Sequence, residues 1–113
     1  MGWFNRKKAI PQQAVIVHYR LSGDRFGTEV ERDAFNGLQS RLETLIRSQG
    51  LGELDGDEIG EGEAVLYCYA PDADRLFAGI ESTLRTLPFR PAHAQIRYGE
   101  AADPNAKERR IDF

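Results

Sequence analysis

Hydrophobic and polar residues alternate along this chain in two rhythms, and the order in which they change predicts the elements. Residues 14–21, Ala-Val-Ile-Val-His-Tyr-Arg-Leu, are rich in β-branched and aromatic side chains and predict a strand. A period of two puts Val15, Val17, Tyr19 and Leu21 on one face and Ile16, His18 and Arg20 on the other. After a loop at 22–27 the period lengthens. Phe35, Leu38, Leu42, Leu45 and Ile46 make one stripe of an amphipathic helix. Thr28 and Glu31 have capping-box spacing at its start, and Gly50 is placed to end it.

A short edge strand ending near Ile59, a tight turn at Gly60-Glu61-Gly62 and a strand over 64–70 then read as a hairpin. Asp72 is a natural N-cap for a second helix, with Asp74 in its first turn. Its stripe, Leu76, Phe77, Ile80, Leu84 and Leu87, is stopped by Pro88 and Pro91. Residues 92–98 alternate cleanly with Ala94, Ile96 and Tyr98 inward. After a turn through Asp103-Pro104-Asn105, residues 107–113 offer a fifth, charged C-terminal edge strand.

The pattern thus predicts helices near 28–49 and 72–87 and strands near 14–21, 63–70 and 92–99. The order β-α-β-β-α-β is that of a ferredoxin-like α+β sandwich, with two helices on one face of an antiparallel sheet and the other face open. Leu42, Leu45, Leu76 and Ile80 centre the two stripes and are expected to be nearly fully buried.

Composition narrows the class. With 113 residues, 41% hydrophobic and 29% charged, the chain has the size and apolar content of one ordinary domain. We place that domain at 14–113, behind a flexible N-terminal arm at 1–13. A net charge of −3 disfavours non-specific binding to nucleic acid or an anionic membrane. Nothing approaches the ~20 apolar residues of a membrane span. The opening residues Met1 to Lys8 lack the apolar core of a signal peptide, and Arg6 stands where a myristoylation motif wants Ser or Thr. The expected location is cytoplasmic. The single cysteine, Cys68, lies in an apolar run and is expected to be a core residue, not a nucleophile.

The segment Gly52-Glu53-x-Asp55-Gly56-x-Glu58-x-Gly60, followed by Leu66-Tyr67 and Ala70-Pro71-Asp72-Ala73-Asp74, resembles a family of small uncharacterised bacterial proteins over roughly residues 52–99. The resemblance implies a bacterial, cytoplasmic protein and carries over no activity, cofactor or catalytic residue.

Three constellations carry chemistry. The open sheet face should present His18, Arg20, Tyr67, Tyr69, His93 and Arg97, with Tyr67 and Tyr69 beside His18 and Arg20. Aromatic and basic groups on one sheet suit a protein partner or second subunit, a small ligand, or stacked bases; the alternative is a partly solvated face whose tyrosines the N-terminal arm covers. The acidic stretch Glu53, Asp55, Asp57, Glu58, Glu61 and Glu63 has oxygen ligands, but not EF-hand spacing, and reads as a solvated, protected edge. His18 and His93 should be neighbours, but a third metal ligand is missing. No metal or cofactor is expected: no phosphate-binding glycine loop and no nucleophile elbow is present. These features lean away from an enzyme and toward a non-enzymatic interaction or regulatory domain, with a homodimer through the open face as one form of it. A small enzyme or ligand-binding domain using that face or the acidic hairpin is the alternative, favoured by a pocket gathering His18, Tyr67 and Arg97.

Overall fold

The computed structural model describes residues 12–100 and 102–113. The expected N-terminal arm lies outside them except for its last two positions, and Gln13 already opens the first strand. In chain order the elements are β1 (Gln13–Arg20), α1 (Glu29–Ser48), β2 (Glu53–Gly60), β3 (Glu63–Ala70), α2 (Ala73–Leu84), β4 (Ala92–Arg97) and β5 (Glu108–Asp112). All strand pairings are antiparallel, in the order β2-β3-β1-β4-β5. The first strand in the chain is therefore the middle of the sheet.

Local chemistry explains the helix ends. At α1 the Thr28 hydroxyl accepts from the Glu31 amide at 3.1 Å, and the Glu31 carboxylate accepts from the Thr28 amide at 2.8 Å, completing the capping box. The same carboxylate also accepts from the Ser22 hydroxyl at 2.8 Å and its amide at 3.1 Å, so one side chain fastens both the helix and the loop before it. The far end is a Schellman motif. Gly50, at φ +60°, donates to Arg47, and Leu51 donates to Ile46. At α2 the Asp72 carboxylate accepts from the Arg75 amide at 3.1 Å, and Gln13 Oε1 from the Ala73 amide at 2.9 Å.

Both helices lie on the sheet face formed by Val15, Val17, Tyr19, Leu66, Cys68, Ala94 and Ile96, and with them enclose one core. Tyr19 is fully buried there, edge-on to Phe35. Its hydroxyl donates to the Leu84 carbonyl at 2.7 Å. The β2–β3 turn has both central residues at positive φ, Glu61 at 52° and Gly62 at 77°, as the hairpin's twist requires.

Three boundaries or burials differ from the sequence reading. Leu42, Leu76 and Ile80 are fully buried, whereas Leu45 is half-buried. The buried ridge is Phe35, Leu38, Leu42 and Ile46, and Leu45 lies on its flank. The second helix ends at Leu84, with Leu87 carried into the core by the turn that follows. The edge strand β2 is eight residues long, because an irregularity between Leu54 and Gly56 absorbs Asp55 and lets pairing resume.

Candidate functional site

Among the described residues no helix covers the opposite sheet face. The strand register arranges that face in rows. One runs Glu58, Val65, His18, His93 and Asp112 across β2, β3, β1, β4 and β5. The next runs Gly56, Tyr67, Ile16, Gln95 and Arg110, and a third Glu53, Tyr69, Ala14, Arg97 and Glu108.

All six expected residues thus belong to this face, but they do not converge. Tyr67 stands beside Ile16 and Tyr69 beside Ala14, not beside His18 and Arg20, whose partners are Val65 and Glu63. Alternation fixes which face a residue takes; it does not fix the offset between two strands. Tyr69 and His18 are consequently two rows apart, about 13 Å along the strands.

Most polar groups here are committed to one another. Tyr67 donates a hydrogen bond to Glu58. That bond, followed by burial and the Glu58 charge, pushes the phenol up to about 12. The Tyr67–Glu58 link flanks Val65, which is 8% exposed although no helix covers it. Burial raises Tyr69 as well, with Asp55 adding to it. Arg97 binds Glu108 at 2.7 Å and donates to the backbone carbonyls of Glu100 and Asp103. Gln95 reaches the other Glu108 oxygen at 2.6 Å. Arg97 therefore fastens the β4–β5 connection, a role that depends on a partner eleven residues away and leaves no local sequence signal.

The histidines are the best-defined pair. His18 and His93 are register partners whose rings stack at 4.5 Å, 10° from parallel. Glu63 lies 3.5 Å from His18 Nδ1. Burial is the largest influence lowering His93, reinforced by His18 and Arg110; Asp112 and Glu63 oppose it. Glu58, Glu63, Arg110 and Asp112, which the sequence reading left off this face, are its neighbours.

The other candidates resolve simply. The acidic stretch is divided by the sheet: Glu53 and Glu58 lie in open-face rows, while Asp57 pairs with the core residue Leu66. Among the described residues, no group of three or more His, Cys, Asp or Glu is placed to hold a metal ion. Cys68 is fully buried, and burial pushes its thiol up to about 12. A shallow groove of about 340 Å³ is lined by His93, Gln95, Glu108, Arg109 and Arg110; His18, Tyr67 and Arg97 do not line it. Among the described residues, no helix is long and apolar enough to cross a membrane.

Comparison with known protein families, curated proteins and solved structures finds nothing that matches this chain. The resemblance over residues 52–99 rests on its own motif residues alone.

Proposed function

We propose that this is a non-enzymatic interaction or regulatory domain of a bacterial cytoplasm, a ferredoxin-like sandwich extended by a fifth strand, which pairs with a second copy through its open sheet face. The fold reading is supported by two crossovers: α1 joins β1 to β2 across β3, and α2 joins β3 to β4 across β1. The observation that carries the functional reading is the half-exposed strip of Ile16, Tyr67 and Tyr69 beside Val65, on a face that no helix covers among the described residues. Apolar and aromatic surface of this kind marks interfaces, and the isologous dimer is the commonest form of homo-oligomer.

The polar groups favour this reading over an enzyme. A general base or nucleophile must be free to meet a substrate, whereas Tyr67 is held by Glu58 and the Arg97 guanidinium by Glu108 and two carbonyls. Sedimentation equilibrium tests the proposal. Wild type should be a dimer, and joint Tyr67→Asp and Tyr69→Asp substitution should give a monomer with an unchanged far-ultraviolet CD spectrum. A wild-type monomer at high concentration would overturn it. The groove beside His93 favours a second reading, a small-ligand site; chemical-shift changes confined to Gln95, Glu108 and Arg110 on adding small anions would support that instead.

A further inference from the structure

We infer that the stacked His18–His93 pair is a proton-operated element of the open face, closed while at most one ring is charged and opened when both are, so that acidification weakens self-association. The regulatory half of this rests on the dimer reading above.

Geometry carries the argument. Two imidazoles 4.5 Å apart and nearly parallel pack well when both are neutral or when one is a cation over the other's π face. Two cations at that separation lie well inside the Debye length, so salt screens their repulsion poorly. Each ring has another place to go. Glu63 on β3 is 3.5 Å from His18 Nδ1, and Asp112 on β5 is the register partner of His93. The second proton therefore draws the rings apart toward opposite strands.

Among the described residues, the charged groups facing the pair come from β1, β2, β3 and β5. Glu63 approaches from β3, and Glu58 stands beyond Val65 on β2, occupied by Tyr67. Arg110 and Asp112 lie on β5, joined at 3.0 Å, and Arg20 lies two residues along β1, its guanidinium on the Glu61 carbonyl. Arg110 opposes protonation of His93, while Asp112 and Glu63 support it. The pair lies in the row adjoining Ile16 and Tyr67, so ring separation alters the surface that a second copy would meet.

Two measurements decide it. In an NMR titration of the imidazole Cε1 protons, His93 should titrate below the ordinary histidine range, and His18→Gln should move its midpoint upward. A midpoint unaffected by His18→Gln overturns the inference, whatever the oligomeric state. In sedimentation, the dimer should be about tenfold weaker or more near pH 5 than at pH 7.5, and the His18→Gln, His93→Gln double variant should hold its dimer at both. A dimer equally strong at both pH values overturns the regulatory claim, as does equal weakening of wild type and double variant, which would trace the effect to the carboxylates. A wild-type monomer at every pH instead overturns the dimer reading and the regulation built on it, while the titration still decides the pair.

Discussion

Tyr19 and Leu84 stand 65 residues apart in the chain and are joined by a buried hydrogen bond from the phenol to the last carbonyl of α2. This bond ties the middle strand to the end of a helix. Burial, chiefly, raises the phenol's pKa, so it stays a donor throughout the physiological range. Tyr19→Phe keeps the ring's packing against Phe35 but leaves the Leu84 carbonyl without its partner. We expect a loss of about 1–3 kcal/mol, read from the urea midpoint at unchanged m-value.

Leu42 and Leu45 separate the centre of the α1 stripe from its flank. Leu42 is fully buried and Leu45 half-buried. Leu42→Ala should cost about 2–5 kcal/mol through lost transfer and an unfilled cavity. Leu45→Ala should cost less than half as much, since solvent already reaches that side chain. Equal costs in chemical denaturation would show that the helix is rotated from the orientation described.

Arg97 predicts local opening. Its contacts hold the β4–β5 connection through Glu108, Glu100 and Asp103. Arg97→Gln should accelerate amide exchange in β5 and in the connection while leaving β1 and β3 at the protection of global unfolding. Uniform acceleration across all five strands would contradict this.

Glu31 and Glu108 set an acid limit. The Thr28 amide, with Ser22, holds the Glu31 carboxyl below the usual carboxylate range; Gln95 and Arg97 do the same for Glu108. A carboxyl whose folded pKa is lowered binds its proton more readily when unfolded. Its stabilisation is therefore complete above the unfolded pKa, about 4.5, and is lost as pH falls through the folded value. Tm should decline across that acidic window, and Glu31→Gln should flatten the decline while lowering Tm at pH 7.

Local rules made much of this fold legible. Thr28 with Glu31, Gly50, and Asp72 announce their helix ends because capping depends on residues a few positions apart. Period-two alternation assigned His18, Tyr67, Tyr69, His93 and Arg97 to one face. It did not assign them to a common place, because register depends on how strands dozens of residues apart match their core sides, as Val17 does with Leu66. The stacking of His18 on His93, the Tyr67–Glu58 link and the Arg97–Glu108 pair all follow from that register. The half-burial of Leu45 likewise depends on how far α1 is rotated on the sheet, which the spacing of its leucines left open.

The central position of the earliest strand bears on how the protein is made. β1 has neighbours only in β3 and β4, and His18 meets His93 75 positions later in the chain, from 18 to 93. At ribosomal speeds of about 5–20 residues per second, that partner arrives roughly 4–15 s after β1 has been synthesised. Until β3 is made, with Val65 arriving opposite His18 after 47 of those positions (from 18 to 65), Val15, Val17 and Tyr19 have no strand partner, and until β4 follows they have no finished core. The nascent chain thus carries a sticky apolar strand, and holdase chaperones have their longest opportunity there, before β4 closes the sheet around it.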